Sequence, residues 1–391
     1  MPVKSPIPDV DIPHVDIVTF FFDKAQARAD ALAAAGVSEL PLVIDAVSGR
    51  SLCFSDIKRN TMAIARGISA LIPKNPAIKN GSDEQGIRID RAVLVLLLND
   101  VIYSAIHFGI LMAGCTHVAL DPKLSAQELA TKLMEIGLTS AVAAFVDAEA
   151  IGELEAAAKI AGVELQKQAI FTMGSEERLA LDTLVQENID KPYTPYEFTP
   201  EESATTPALV VYSSGTTGRA KGIVLTRRNI LAVCTMVGGY SAQNITTEGQ
   251  SLTDTDGDEA IERYKITHVA TTPRIMQMLL HKTTKVDTCT VRMRDNPEVK
   301  FHIGSVVTII CGGAPILPAT KQKYSEYFGD ALVIVGYGQT ESSGVITSNS
   351  LDIQAASGAI GVICPNSKAK VVDAEGNETD KLGELCISGP H

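Results

Sequence analysis

The stretch Val211-Tyr212-Ser213-Ser214-Gly215-Thr216-Thr217-Gly218-Arg219-Ala220-Lys221-Gly222 carries the strongest chemical signal in this 391-residue chain. An apolar run, 208–212, leads into six residues that are all hydroxyls or glycines. Glycine lets consecutive backbone N–H groups point at one centre, which is how an anion nest is built. The hydroxyls of Ser213, Ser214, Thr216 and Thr217 add donors, and Lys221 adds a full positive charge within reach of a phosphate. A flexible Ser/Gly loop has the same composition; the abutting apolar strand, the lysine and a helix predicted from about Thr226 favour the anion site. A Walker loop needs Gly directly before the Lys and Ser or Thr directly after it. Ala220 and Gly222 hold those places, which argues against a P-loop ATPase or GTPase.

A second constellation follows the apolar run 331–335: Gly336-Tyr337-Gly338-Gln339-Thr340-Glu341. Two glycines around an aromatic permit a tight turn that leaves Tyr337 free to lie flat against a planar ligand. Glu341 offers a hard oxygen of the kind Mg²⁺ takes, usually one or two carboxylates beside phosphates. As a dinucleotide GxGxxG the string fails, because Glu341 stands where the third Gly belongs. By itself it also fits a strand-ending turn with a solvated Glu.

The elements that must position these groups alternate between helix and strand. Ser55 opens a helix with Ile57, Ile64, Ile68 and Leu71 on one face, closed before Pro73. The continuous apolar run 92–98 suits a parallel strand buried on both faces. Ser125 and Glu128 form a capping box for the helix 128–136, which Gly137 ends, and 141–146 is again a strand. Strand, helix, strand in this order predicts layered α/β structure. Pro192, Pro195, Pro200 and Pro207 interrupt a linker-like stretch. Beyond it come strands at 208–212, 306–310 and 331–335, a helix at 227–237, and short apolar pieces at 369–372 and 385–387 that predict antiparallel β structure. Residues 238–259 have no apolar periodicity and fit no element.

Composition excludes several classes. Thirty-four basic against forty-six acidic side chains, a net charge of −12, argue against nucleic acid as the partner. The longest apolar run is far shorter than the roughly 20 residues a membrane span needs, and the N-terminus lacks a signal peptide's apolar core. Seven scattered cysteines without a CxxC pair fit a reducing compartment and argue against a disulfide framework or a zinc site. There is no HExxH and no GxSxG. His107 and His117 flank an apolar stretch and read as core or edge residues, and Arg227-Arg228 reads as a solvated helix start.

Tyr212 to Gly222 resembles the signature of the AMP-forming adenylating enzymes, the superfamily of acyl- and aryl-CoA ligases, luciferases and peptide-synthetase adenylation domains. Ala220 stands where members usually have Pro. Gly336 to Glu341 is similar to the family's GYGxTE element, Gly312-Gly313-Ala314-Pro315 to its GAAP segment, and Gly383-Glu384-Leu385 with Gly389-Pro390 to its GEL…GP element. The likeness covers nearly the whole chain and leans to the 4-coumarate:CoA ligase-like branch. It implies that Ser213, Ser214, Gly215, Thr216, Thr217, Gly218 and Lys221 hold the ATP phosphates. Gly313, Ala314, Gly336, Tyr337 and Gly338 would line the adenine, and Thr340 would contact the α-phosphate. Glu341 with Ser213 would bind Mg²⁺, and Lys221, Thr340 and Glu341 would be the catalytic groups. The implied partners are a small aromatic or medium-chain carboxylic acid, ATP and coenzyme A, with no nucleic acid and no transmembrane segment.

The implied fold class is α/β: the large N-terminal domain of an adenylate-forming enzyme. It is expected as an N-terminal α/β subdomain over 1–200, an ATP-binding α/β subdomain over 201–361, and the start of a β-barrel-like subdomain over 362–391. Two departures qualify the implied activity. The interval from Lys221 to Tyr264-Lys265-Ile266-Thr267 is several tens of residues shorter than the family pattern, and lacks the aromatic-His motif that closes the acyl pocket. The ribose-binding aspartate, the hinge and the C-terminal lid domain with its catalytic lysine are expected to be absent. The resemblance therefore implies an acid–CoA ligase impaired in this chain, or a nucleotide-binding pseudoenzyme or fragment. The expected compartment is the cytoplasm, and a peroxisomal C-terminal tripeptide stays compatible with the sequence.

Overall fold

The computed structural model describes residues 3–46, 48–72, 81–83, 86–89, 91–173, 179–213, 221–241, 257–348 and 359–390. Packing divides the chain into two compact units, Pro13–Leu231 and a second that joins Met1–Ile12 to Ala232–His391.

The first unit begins with α1 (Ile17–Ala34), capped by Asp16, whose Oδ1 accepts from the Val18 N–H at 2.9 Å. Helix α2 (Phe54–Leu71) starts one residue before Ser55, and Cys53 with Asp56 supplies the reciprocal cap. Strand β1 (Ala92–Leu96) is buried at every position. It is followed by α3 (Tyr103–Met112), β2 (Thr116–Ala119), α4 (Ala126–Glu135), β3 (Ser140–Asp147), α5 (Ile151–Ala161), β4 (Ile170–Met173), α6 (Leu179–Asn188), α7 (Pro200–Thr205), β5 (Pro207–Ser213) and β6 (Lys221–Thr226). These strands form one sheet in the order β4-β3-β1-β2-β5-β6, parallel throughout except for the β5–β6 hairpin.

Alternation along β1 explains the layering. Val93 and Val95 pack into a cluster with Ile57, Ile64 and Ile68 of α2 and Ile106 and Ile110 of α3. Ala92, Leu94 and Leu96 point the other way, onto Leu129 and Leu133 of α4 and Leu154 of α5. A sheet covered on both faces needs apolar side chains at consecutive positions, which 92–96 supply; the strand expected over 92–98 ends at Leu96, and Leu98 is 55% exposed. The Ser125–Glu128 capping box is present, and Gly137 takes φ +63° just past the helix.

The second unit holds α9 (Gly257–Tyr264), β7 (His268–Thr271), α10 (Pro273–Lys282), β8 (Thr308–Cys311), α11 (Pro318–Tyr327), β9 (Leu332–Gln339), β10 (Gly344–Ser348) and β11 (Val362–Ile363), and α8 (Arg227–Ser241) runs into it from the first. Its main sheet runs β7-β8-β9-β10-β11, with β7, β8 and β9 parallel and the remaining pairs antiparallel. A small antiparallel sheet pairs Val3–Lys4 with β12 (Lys368–Val372) and β12 with β13 (Glu384–Ser388). The layered α/β units and the small terminal sheet agree with the expected fold class.

The compact units part at 12/13 and 231/232: β5 pairs with β2 and β6 with β5, which places both strands in the first sheet, while the N-terminal strand joins β12. Several local expectations need revision. The stretch 192–207 is no free linker: Tyr193 donates to the Met112 carbonyl at 3.0 Å, and 200–205 are helical, with Pro200 at the first turn and a Thr199–Glu202 capping box. Of 238–259, residues 242–256 lie outside the described residues.

Arg227 is no solvated helix start. Its side chain has no exposure, pairs with Asp16 Oδ2 at 2.7 Å, donates to the Leu111 carbonyl and lies 3.9 Å from the Phe198 ring centre. The charge pattern alone could not show this, since Asp16 lies 211 residues away in sequence.

Two buried clusters give the units opposite responses to acid. In the first, His107 Nδ1 and His117 Nδ1 stand 2.9 Å apart, and Tyr103 meets His117 Nε2 at 3.3 Å. Burial first, and the Arg227 charge second, lower His107 to about 4; burial and His107 hold His117 well below the usual value. Both imidazoles stay neutral in the folded unit while the unfolded chain takes protons near pH 6.5, so stability present above that pH is lost as pH falls toward 4. For His107 this is worth about 3 kcal/mol.

In the second unit the Asp258 carboxylate accepts from Tyr327 Oη at 3.0 and 3.2 Å, and Tyr327 also meets Thr283 at 2.5 Å. Burial raises Asp258 to about 6, against the lowering by the Tyr327 hydrogen bond and the Lys282 charge. Its contribution is full below the ordinary carboxylate range and is lost as pH rises through 6, partly offsetting the histidines during acidification. Asp258→Asn is therefore expected to melt no lower than the parent at pH 7 and to lose stability more steeply between pH 6.5 and 4. Parallel melting curves across that range would contradict this reading.

Candidate active site

Strands β5 and β6 position the first candidate groups. Ser213 ends β5 and Lys221 begins β6, and the two are direct partners in the antiparallel ladder. Cross-strand partners share a face of the sheet, so the hydroxyl and the ammonium group start from neighbouring positions. Lys221 is exposed and Ser213 half-buried. Ser214, Gly215, Thr216, Thr217 and Gly218 lie outside the described residues. Between the hydroxyl–glycine sequence and the helix stands a strand not expected there, β6, which the apolar Ile223-Val224-Leu225 could have signalled. Thr226 and Asn229 then cap α8 reciprocally, Thr226 N–H donating to Asn229 Oδ1 at 3.1 Å and Asn229 N–H to Thr226 Oγ1 at 3.2 Å.

The ends of these strands are tied down. Tyr212 donates to the Lys132 carbonyl at 2.7 Å, and the Lys132 ammonium lies 4.0 Å from the Tyr212 ring centre. Gly222 is required for packing: a Cβ there would stand 2.7 Å from Ile136 Cγ2 and 3.2 Å from the Tyr212 ring. Helix α4 thus fixes the base of the hairpin carrying Ser213 and Lys221.

The other candidate groups lie in the second unit. Gly312 follows β8, and a Cβ there would come 2.9 Å from the Gly336 carbonyl of β9, so the glycine-rich turn and the start of the Gly336–Glu341 string lie against each other. Gly313 takes φ +86°, while Ala314 and Pro315 are exposed.

The expected tight turn at Gly336–Gly338 is absent. Strand β9 continues to Gln339, and the chain reverses at Thr340–Ser343. Neither Gly336 nor Gly338 has positive φ; a Cβ on Gly338 would collide with the Gly344 carbonyl oxygen at 1.8 Å. The glycines serve close approach between strands. Tyr337 sits half-buried opposite Thr347, Thr340 is half-buried and Glu341 exposed.

A hydroxyl and a carboxylate are the hard oxygen donors that Mg²⁺ prefers; Ser213 belongs to the first unit and Glu341 to the second. Among the described residues no cluster of three His, Cys, Asp or Glu could hold a metal by itself, and no helix is long and apolar enough to cross a membrane. A cavity of about 490 Å³ beside α1 and α2, with Ala33, Phe54, Lys58 and Met62 in its wall, contains none of the motif residues.

The sequence profile described as AMP-binding enzyme matches residues 83–256 and 241–391. The chain belongs to the AMP-binding enzyme family. The two matched stretches of the AMP-binding profile meet at 241–256, inside the unpatterned segment. Similar proteins include the peroxisomal OPC-8:0-CoA ligase 1 of Arabidopsis thaliana, 23% identical over 99% of this chain and 69% of its own length. A 4-coumarate–CoA ligase of Pinus taeda is 23% identical over 99% of this chain and 71% of its length. The first alignment extends over 429 residues, more than the chain's own 391, so that relative holds stretches this AMP-binding protein lacks. The fold matches the crystal structure of a long-chain-fatty-acid-CoA ligase from Archaeoglobus fulgidus with a TM-score of 0.76, at 19% identity over 99% of this chain and 77% of that one.

Proposed function

We propose that this AMP-binding protein is an ATP-dependent acid–CoA ligase acting on a small aromatic or medium-chain carboxylic acid. A carboxylate oxygen forms a bond to the α-phosphorus of ATP as the bond to the β-phosphate oxygen breaks and pyrophosphate leaves. The thiol of coenzyme A then attacks the acyl carbon, and AMP departs. No side-chain nucleophile is needed: alignment and charge neutralisation carry the chemistry. Lys221 neutralises developing phosphate charge, the hydroxyls and amides of 213–218 hold the phosphates, Thr340 contacts the α-phosphate, and Tyr337 packs on adenine beside Gly313, Ala314, Gly336 and Gly338. Glu341 and Ser213 would hold Mg²⁺, which shields the phosphate oxygens when bound.

The observation that carries this reading is the cross-strand pairing of Ser213 with Lys221, the described residues that flank the hydroxyl–glycine sequence, in a chain whose family is AMP-binding. Seven unpaired cysteines support placing the protein in the cytoplasm. A second reading, a nucleotide-binding protein with strongly reduced turnover, draws support from the stretches its relatives hold and this chain lacks. Equilibrium binding of ATP to the folded chain, with AMP as competitor, tests the part common to both. Saturable binding displaced by AMP is expected; no binding would end both readings.

A further inference from the structure

The β9–β10 hairpin that displays Thr340 and Glu341 is closed by a buried hydroxyl. Ser342 is only 7% exposed, and its Oγ donates toward two backbone carbonyls, Gln339 at 2.9 Å and Gly344 at 3.3 Å. Gln339 and Gly344 are the last partners of the ladder, so one proton bridges both strands at the neck of the four-residue loop 340–343. The loop is held in a costly conformation. Ser343, a non-glycine residue, takes φ +57°, its N–H donates to the Thr340 carbonyl at 2.9 Å, and its own Oγ is buried without a hydrogen-bond partner. Such backbone persists only where its surroundings over-determine it, and strain of this kind gathers at ligand sites.

We propose that Ser342 is a positioning residue for Mg·ATP: by clamping the carbonyls of Gln339 and Gly344 it fixes where the Glu341 carboxylate stands. Glu341 is exposed at the loop's tip, and a hairpin tip without a clamp has freedom to spread. The clamp acts through backbone carbonyls, so it touches neither nucleotide nor metal. This inference rests on the reading of Glu341 as the magnesium-binding carboxylate.

The test is the dissociation constant for ATP of the folded full chain, measured with Mg²⁺ and again with EDTA, for the parent, Ser342→Ala and Ser342→Thr. The parent is expected to bind ATP more tightly with Mg²⁺. Ser342→Ala should lose about tenfold of that Mg-dependent gain, the scale of one net hydrogen bond, with its affinity in EDTA unchanged. Ser342→Thr, which keeps the hydroxyl, should recover most of the gain. Should the alanine variant not fold, Ser342→Cys, similar in shape and a weaker donor, carries the same expectation. An undiminished gain in the variant, or equal losses with and without Mg²⁺, overturns the positioning role. A parent chain that gains nothing from Mg²⁺ overturns the reading of Glu341 itself, and the two failures are told apart in the parent sample.

Discussion

Replacing Arg227 by alanine is expected to lower the melting temperature by about 10 °C, from a loss of about 3–5 kcal/mol. Three structures lose their common anchor at once. Asp16 caps α1 with one oxygen and pairs with Arg227 through the other, so it would keep its cap and lose its counter-charge while only 16% exposed. Phe198, in the stretch before α7, loses the guanidinium stacked on it, and the Leu111 carbonyl at the end of α3 loses a donor. Breaking one partner of a buried pair costs more than the pair contributes, because the remaining charge is stranded. Arg227→Lys keeps a charge without a planar fork, so an intermediate loss is expected. Calorimetry or circular-dichroism melting of both variants checks this. An alanine variant melting with the parent would mean that Asp16 finds its compensation elsewhere.

Replacing Lys221 by alanine is expected to leave the melting temperature unchanged, since the side chain is exposed at the start of β6, yet weaken Mg·ATP binding and cut adenylation about 100-fold. The separation of the two readouts matters. A structural lysine would move stability and activity together, whereas a phosphate-binding one moves only the second. Glu341→Gln should resemble it in binding, with the loss confined to measurements containing Mg²⁺. Unchanged affinity in both variants would remove the phosphate-site assignment.

Where local rules suffice, the fold was legible in the residues. The apolar run at β1, the capping box of α4 and the left-handed Gly137 each follow from a few neighbouring positions, and the structure has them in place. Contacts distant in sequence were not legible. Nothing near Arg227 announces Asp16, and nothing near Asp258 announces Tyr327, 69 residues away. The glycines of the Gly336–Glu341 string show the same limit. Residue type says that a Cβ is excluded there, but not whether a turn or a neighbouring strand excludes it, and here Gly338 is demanded by the Gly344 carbonyl. Of the candidate site, Ser213 and Lys221 were readable as chemistry, while their ladder pairing needed β6. Ser342 gave no signal beyond a hydroxyl following Glu341, since its role depends on two carbonyls brought together by the hairpin.

Carboxylate-dependent exchange of pyrophosphate into ATP, on a sample that circular dichroism shows to be folded, tests the proposed ligase chemistry most directly. A panel of cinnamate-like, benzoate-like and fatty acids covers the substrate class. Exchange above the acid-free background with at least one of them, lost in Lys221→Ala, is the expected result, and the responding acid names the substrate. A folded chain that binds ATP and stays silent with every acid would contradict the account and leave a protein that holds the nucleotide without reacting it.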